Sequence, residues 1–470
     1  MRSTPTENTD IMPTWDFLPY EIRGIILTFL LRHDSIAPYA AVSEEWRDAV
    51  EKKTFHRLKL HPSCLDRLEQ LDERQIESVT WYSTNNKIIK TAITRLFNIL
   101  ESWELVKGGV TLELNAYSPS DSEHWFKNCY FGAPGEDELL EDESLEGDLA
   151  EEVHDPNHGW SNGRIIGSPP DDALRRPFEL AELEFKEHVP SVIAVTKFIL
   201  RRQCRRQFDP SSLSFLWSKL PRLEQIVYEP WQLAEKPSQY VHWERYYHRM
   251  ITELPASVNT MTIFEDFNEN YLELFQRMRG RYSIEMNPDR VRITTPAVGA
   301  AFAKKSLQLE HLSVAFLIDA WHFFDTCLPQ PQWQWDQLRS LTLTSRKLTP
   351  KTNTEHVNRL LQTAAQAALR MPKLEDLTIW NGAKGEACAF MYRRDASVTW
   401  RATWDLYLDT FTCNAWKKVA DQYARFEFRV DKELLGQEIK SHGDAIHYLG
   451  LHSVLDGVSL RQIRRENKGT

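Results

Sequence analysis

The sequence predicts an α/β protein: an N-terminal module of three helices, a stack of strand–helix units, and a C-terminal cap of mixed α and β structure. Three observations predict this class. Apolar residues recur at helical spacing between Leu18 and Leu30, a strand motif repeats along the middle of the chain, and strand-like and helix-like segments mix after Ala396. With 470 residues and 42% hydrophobic content, the chain can form two or three domains with packed cores.

The N-terminal helices leave apolar surface that needs a cover. Pro19 suits the first turn of a helix, because its missing N–H has no partner there. Ser43 can cap a further short helix that carries Trp46. Three short helices in about forty residues cannot enclose a useful core, so a partner or the rest of the chain must cover them. The apolar stripe of the first helix consists of Leu18, Ile22, Ile25, Ile26, Phe29 and Leu30.

This N-terminal segment resembles the F-box, and it is most similar to the variety found in large families of filamentous-fungal proteins. The resemblance rests on Leu18-Pro19-x-x-Ile22, Ile25-Ile26, Val42-Ser43-x-x-Trp46-Arg47 and Phe55. It implies a module that docks onto the Skp-type adaptor of a cullin–RING (SCF-type) ubiquitin ligase, while the remaining chain selects the target for ubiquitin-dependent degradation. The adaptor-binding residues that it implies are Leu18, Pro19, Ile22, Ile26, Val42 and Trp46.

The F-box pattern has one departure and one competing interpretation. Many F-boxes carry a Leu-Leu pair in the second helix, whereas this chain has Ile36-Ala37-Pro38-Tyr39-Ala40 there. The competing interpretation takes these helices as the first part of an ordinary globular domain.

The region behind the module repeats an apolar-x-x-apolar-x-apolar motif, whose last positions alternate as in a half-buried strand. A helix follows one of these strands, because Val357, Leu361 and Ala364 share a helical face. We therefore expect an irregular stack similar to leucine-rich repeats, with an ordinary α/β domain as the alternative. The motif occurs at Ile76/Val79/Trp81, Leu223/Ile226/Tyr228, Val258/Met261/Ile263, Leu309/Leu312/Val314, Leu338/Leu341/Leu343 and Leu374/Leu377/Ile379.

A second helix is predicted where Val192, Val195, Phe198 and Ile199 recur at helical spacing. A basic cluster follows it, and cations at a helix C-terminus are favoured by the helix dipole. We expect these arginines to be solvated, with contact to the acidic segment or an acidic ligand as the alternative. The cluster contains Arg201, Arg202, Arg205 and Arg206.

Composition divides the chain into six parts. No Lys or Arg occurs between Asn128 and Gly163, and this low-apolar, self-repelling stretch is expected to be a disordered insertion rather than an acidic partner site. The parts are a disordered N-terminus (1–14), the F-box (15–60), the first repeat-like α/β region (61–127), the acidic insertion (128–177), the second repeat-like region (178–395) and the C-terminal α+β cap (396–470).

Charge and hydropathy exclude several classes of function. There are 57 Lys and Arg against 67 Asp and Glu, and a net charge of −10 argues against nucleic-acid binding. The six cysteines include no C-x-x-C pair, as in proteins of a reducing compartment. The sequence has neither a signal-peptide pattern nor an apolar run long enough for a membrane span. We therefore expect a cytoplasmic or nuclear protein without a membrane partner.

Few residues suggest chemistry, and no catalytic, cofactor-binding or metal-binding residue is predicted. The glycines of Gly382-Ala383-Lys384-Gly385 lack the spacing of a nucleotide-binding loop, so a tight turn is favoured. The polar cluster of His442, Asp444, His447 and His452 is more typical of a helix start than of a metal or acid–base site. Aromatic residues could anchor a partner or belong to the core; they are Trp321, His322, Phe323, Phe324, Trp333 and Trp335.

The sequence thus favours a non-enzymatic substrate receptor that needs no cofactor. Its expected partners are the Skp-type adaptor, the cullin ligase core and a target protein. Two alternatives stay open. One is an F-box-like scaffold outside the ligase, and the other is a hydrolase or transferase whose site is assembled from scattered residues.

Overall fold

A computed structural model describes residues 81–103, 109–116, 160–161, 164–165, 180–204, 206–232, 237–267 and 295–466, with single positions between 15 and 58. Two compact units make up the chain, Met1–Leu58 and Lys59–Thr470. The predicted disordered segment 1–14 lies outside the described residues. Of the predicted insertion 128–177, only the two-residue strands Trp160–Ser161 and Arg164–Ile165 are described, and they pair antiparallel.

One large sheet organises the second unit. From Val110 onward, seven strands of this sheet stand side by side in chain order, and every adjacent pair among them is parallel. These strands are β1 (Val110–Glu113), β2 (Val195–Leu200), β3 (Gln225–Tyr228), β4 (Thr260–Phe264), β5 (His311–Ala315), β6 (Ser340–Thr344) and β7 (Asp376–Ala383).

The sheet continues beyond β7 with a different pattern. Strands β8 (Glu386–Arg393) and β9 (Ser397–Ala402) pair antiparallel with their predecessors, and β10 (Arg429–Leu434) pairs parallel with β9. A separate short parallel pair joins Leu180–Ala181 to Gln207–Phe208. The part of the chain that we predicted as a cap therefore adds β9 and β10 to the same sheet.

Helices connect most of these strands, and several begin at a side chain that caps the first turn. Asp209, Asp319, Asn353, Asp409 and Ser441 each accept a backbone N–H there. The helices are α1 (Trp81–Glu101), α2 (Pro210–Ser218), α3 (Pro237–Thr252), α4 (Pro296–Lys305), α5 (Ala320–Cys327), α6 (Thr354–Ala368), α7 (Thr410–Tyr423), α8 (His442–Leu449) and α9 (Gly457–Glu466).

The repeated motif sets the register of the parallel strands. The carbonyl of the residue before one strand accepts two N–H groups from the start of the next; Asn259, for example, accepts from Glu310 and His311. Equivalent motif positions therefore stand side by side and are all buried. The aligned second positions are Ile226, Met261, Leu312, Leu341 and Leu377.

A continuous layer of helices covers one face of the sheet. Trp217 of α2 packs edge-on against Phe198 and Tyr228, and Trp416 of α7 packs against Phe390 at the other end of the same face. From α2 to α7, each helix contacts the next along the chain. The predicted helix around Val357 is α6, as its apolar face indicated.

The C-terminal helices α8 and α9 cover part of the opposite face. Ala445 of α8 lies against Gly382 so closely that a Cβ at position 382 would collide with its methyl group. Gly443 is similarly tight, because a Cβ there would lie 2.6 Å from Ile463 Cγ2. The buried cluster on this face also contains Phe264 and Trp380.

Two sequence predictions are wrong. The segment that we predicted as a helix near Val192–Ile199 forms strand β2, and Trp81, predicted to end a strand, begins α1. β2 is buried on both faces, with Phe198 on the helix side and Ile199 on the other. A strand that is apolar on both faces loses its two-residue alternation, so its apolar residues also fit helical spacing.

Candidate functional site

The expected adaptor-binding residues of the first unit are partly exposed. Ile22 and Ile26 are helical, and Leu18 and Val42 lie at bends of the chain. Leu18 and Ile26 are half-buried, whereas Ile22 is 43% and Val42 is 58% exposed. Pro19 lies outside the described residues. The unit therefore presents two large aliphatic side chains to solvent.

Trp46, the sixth expected residue, forms an aromatic group with the turns that carry Leu18 and Val42. Its ring lies 4.9 Å from that of Trp15, edge-on, and 6.2 Å from that of Tyr39. The N–H of Leu18 donates to the Trp15 carbonyl at 3.1 Å, and the N–H of Val42 donates to the Tyr39 carbonyl at 3.2 Å. Trp46 thus contacts the residues that fix both turns.

A row of polar side chains crosses the sheet on the face opposite helices α2–α7. The strand register places these residues side by side, and each is half-buried or exposed. Such a row offers hydrogen-bond donors and acceptors to a partner. We call it the polar row; it consists of Lys197, Gln225, Thr260, His311, Ser340, Asp376 and Arg393.

Serine, histidine and aspartate are neighbours in the polar row. Ser340 Oγ donates to Asp376 Oδ2 at 2.6 Å, and burial raises the pKa of Asp376. His311 stands on the strand at the other side of Ser340. A hydrolytic triad needs the imidazole between the hydroxyl and the carboxylate. Because Ser340 binds the carboxylate directly, this arrangement fixes a polar surface and does not activate a nucleophile.

Arg202 lies at the carboxyl end of β2 and is fully buried, so our expectation of a solvated arginine cluster is wrong. Its Nε donates to Asp266 Oδ2, and its NH2 nitrogen donates to Glu466 Oε2 at 2.7 Å. Its NH1 nitrogen donates to Gln462 Oε1 at 2.7 Å, and the guanidinium lies 4.6 Å from the centroid of Trp231. Arg202 is buried because α8 and α9 cover this end of the sheet, whereas Arg205 of the predicted cluster lies outside the described residues.

Arg201 is also buried and paired. Its Nε donates to Glu113 Oε1 at 2.7 Å, and its NH1 nitrogen donates to Asp456 Oδ1 at 3.3 Å. Burial disfavours the charged arginine, but these two carboxylates outweigh burial and raise its pKa. Both arginines therefore link the ends of early strands to the C-terminal segment.

Two buried acids complete this cluster. Asp266 Oδ1 lies 2.9 Å from His442 Nε2. Burial opposes ionisation of Asp266, but Arg202 and His442 outweigh burial and lower its pKa. Glu229 accepts hydrogen bonds from Ser459 Oγ at 2.5 Å and from the Arg202 N–H at 3.1 Å. These buried acids thus bond to groups of the chain itself, and the cluster acts as an internal clamp.

The middle of the chain matches a family model. The match covers residues 253–456, and the model is described as a family of unknown function, DUF6546. It includes Asp266 and His442 of the buried clamp and leaves out Arg202, Glu229 and Glu466. No curated protein matches the chain. Within the described residues, no helix is long and apolar enough to cross a membrane.

The clamp makes stability depend on pH through Glu229. Burial raises its pKa from 4.5 to about 7 although several donors favour the carboxylate. Between these values the folded state binds more protons than the unfolded state, so the free energy of unfolding falls as pH rises. Between about pH 5 and 7, we expect the free energy of unfolding of the wild type to fall by on the order of 2 kcal/mol more than that of Glu229→Gln.

Urea unfolding at several pH values measures this difference. Glu253→Gln is the control, because Glu253 is half-exposed and pairs with Arg249 on the helix surface. The same pH slope in the wild type and in Glu229→Gln would contradict the expectation.

His442 and Asp444 of the C-terminal polar cluster lie at a helix start, as expected, whereas His447 lies in the last turn of α8 and His452 lies beyond it. Ser441 caps α8 by accepting the Asp444 N–H at 3.2 Å, and His442 points to Asp266. The rings of His447 and His452 lie 6.3 Å apart. Across the part of the chain that the structure describes, no group of three or more His, Cys, Asp or Glu is placed to hold a metal ion.

The remaining expected features are structural or partly exposed. The glycine segment forms the predicted tight turn between β7 and β8, with Gly385 at φ +85°. Of the aromatic group, Phe323, Phe324 and Trp335 are core residues, whereas Trp321 is half-buried.

Sequence reasoning missed the acids of the buried clamp. Glu229 directly follows β3, and Asp266 lies two residues beyond β4. The carboxyl ends of neighbouring parallel strands meet at one edge of a sheet. An acid that follows one strand motif and an arginine that follows another therefore indicate a possible ion pair at that edge. Glu466 has no such signal, because only the tertiary fold brings it there.

Proposed function

We propose that this protein is a substrate receptor of an SCF-type cullin–RING ubiquitin ligase. The first unit would bind the Skp-type adaptor, and the second would bind a target protein. The receptor itself would carry out no chemistry. It would hold target lysines near the charged ubiquitin-conjugating enzyme and so raise their effective concentration.

One observation carries the proposal: the F-box-like segment lies in a separate unit and exposes apolar side chains. Ile22 and Val42 are two of the residues that the F-box pattern assigns to adaptor binding, and both are largely solvent-exposed. Solvent-exposed aliphatic side chains beside an ordered aromatic group are typical of a surface that a partner covers.

The second unit supports the target-binding half of the proposal. Its parallel strands follow chain order, its motif positions stand in register, and helices α2–α7 lie on one face, as in leucine-rich-repeat stacks. The polar row on the other face is accessible. We infer an irregular leucine-rich-repeat-like stack whose polar row contacts the target.

Co-purification with the Skp-type adaptor tests the first half. We expect the wild type to retain the adaptor at micromolar concentration and an Ile22→Asp, Val42→Asp double variant to lose at least about 90% of it, because two charges would be buried at the interface. Phe426→Asp is the matched control, since Phe426 is 68% exposed in the second unit.

The outcomes separate the receptor from the alternative. If the wild type retains adaptor and cullin and only the double variant loses them, the receptor is supported. A wild type that retains no adaptor would contradict the receptor proposal and favour an F-box-like scaffold without ligase assembly. The sequence feature that favours this scaffold is the departure from the F-box pattern at residues 36–40. Equal circular dichroism spectra exclude misfolding as the cause of loss.

A further inference from the structure

Two cations lie on one indole ring near the carboxyl ends of β5 and β6. Lys347 Nζ is 3.2 Å from the centroid of Trp321, and Arg359 Cζ is 5.7 Å from it. Trp321 lies in the first turn of α5, Lys347 follows β6, and Arg359 lies on α6. Trp321 and Lys347 are half-buried, and Arg359 is exposed. Parallel α/β sheets bind ligands at this end of their strands.

Lys347 has two carboxylates in its neighbourhood, those of Asp319 and Asp325, but neither forms an ion pair with it. Within the described residues, no carboxylate forms an ion pair with Lys347 or Arg359, although the chain carries a net charge of −10. Burial lowers the pKa of Lys347, and Arg359 lowers it further, while Asp319 and Asp325 only partly oppose this. The pair therefore forms a positive site that lacks a bound counterion from the protein.

The backbone holds this site in place before any ligand binds. Asp319 accepts the Trp321 N–H at 2.8 Å, Ser345 Oγ at 2.8 Å and the Arg346 N–H at 3.0 Å, so it ties the loop after β5 to the loop after β6. Phe316, at φ +62°, donates its N–H to Thr344 Oγ1 at 2.7 Å. A non-glycine residue in this strained conformation persists only where the surroundings fix it. A fixed site loses little entropy on binding.

We propose that Trp321, Lys347 and Arg359 form a binding site for an oxyanion on a partner peptide, namely a side-chain carboxylate or a phosphate ester. Lys347 and Arg359 each supply a charge-assisted hydrogen bond, and the planar guanidinium suits both anions. The indole keeps the two cations together although they repel each other. This inference rests on the proposed function, because it states that the target protein carries an acidic or phosphorylated segment that binds here. Its test requires no adaptor, so its failure can be told apart from the failure of the proposed function.

Fluorescence anisotropy with dye-labelled peptide pools tests the site on the full chain. The pools are random except for a central phosphoserine, glutamate or serine. We expect the phosphoserine or glutamate pool to bind more tightly than the serine pool. The Lys347→Gln, Arg359→Gln double variant should weaken that binding at least about tenfold, because two charge-assisted bonds are lost. Lys351→Gln, an exposed lysine of the same region, should leave it unchanged.

Two further measurements make the result decisive. Lys347→Arg keeps the positive charge and should retain binding, which separates loss of charge from loss of folding. Inorganic phosphate is titrated as a competitor. If phosphate binds this site but the phosphoserine pool binds no better than the serine pool, the ligand is a free anion and the peptide partner is overturned. Equal binding of all three pools without phosphate binding, or an unaffected double variant, overturns the site.

Discussion

Arg202→Met should lower the free energy of unfolding by about 3–5 kcal/mol, because it removes the buried guanidinium that bonds to the carboxylates of Asp266 and Glu466. Arg202 is fully buried and bonds to both acids, so water cannot replace it. Methionine fills much of the arginine volume, which limits the contribution of an empty cavity. Urea unfolding followed by circular dichroism gives the free energy.

Arg249→Met is the matched control for this prediction. Arg249 also bonds to a carboxylate, that of Glu253, but the two side chains are 65% and 46% exposed. An exposed pair one helical turn apart contributes about 0.3–0.5 kcal/mol, so this variant should be almost as stable as the wild type. If the free energy of unfolding falls equally in both variants, the stabilisation by the clamp does not depend on its burial. Hydrogen exchange should also show that Arg202→Met first opens α8 and α9.

Trp416→Ala should lower the free energy of unfolding by about 3–5 kcal/mol, the usual cost of deleting a large buried aromatic side chain. The Trp416 ring lies 5.1 Å from that of Phe390 and 5.0 Å from that of Tyr392. Its Nε1 donates to the Leu361 carbonyl at 3.1 Å, so one side chain joins α7 to both the sheet and α6. Urea unfolding measures the loss.

Trp333→Ala tests whether burial is the reason for the large loss of stability expected for Trp416→Ala. Trp333 is half-buried, and its ring packs edge-on against Trp335 at 6.3 Å, so its removal should cost clearly less than that of Trp416. Trp416→Phe, which keeps an aromatic ring but loses the indole N–H, should fall between the wild type and Trp416→Ala. A larger loss of free energy of unfolding in Trp333→Ala than in Trp416→Ala would contradict the packing argument.

The strands were predictable because their signal is local. Leu312, Leu341 and Leu377 each lie in a short motif with apolar alternation, and each lies in a strand. The helical spacing of Val357, Leu361 and Ala364 likewise predicted α6 correctly. The same periodicity failed at β2, where apolar residues occupy both faces and the alternation of apolar and polar residues disappears. Local pattern is thus sufficient where one face of an element is polar.

The buried clamp could be predicted only in part from local pattern. Asp266 follows a strand motif, which indicates its place at this edge of the sheet. Arg202 and its neighbours form a basic run, and a basic run is usually solvated. The burial of Arg202 also depends on α9, which no local motif connects with β2. The expected adaptor-binding residues differ, because the F-box pattern names Ile22 and Val42 within one short segment. Their exposure agrees with a docking role, which stays a prediction until adaptor binding is measured.

The ion pair between Arg202 and Glu466 also bears on the order of folding during synthesis. The two residues are 264 positions apart, and Glu466 lies in the last described helix. Strands β2 to β7 can assemble on the ribosome as they emerge, each beside its predecessor, because domains form from the N-terminus onward. Arg202 gains this counter-charge only when α9 has been made. A nascent chain therefore keeps this edge of the sheet open until α9 has emerged, and a truncation that removes α9 leaves it open permanently.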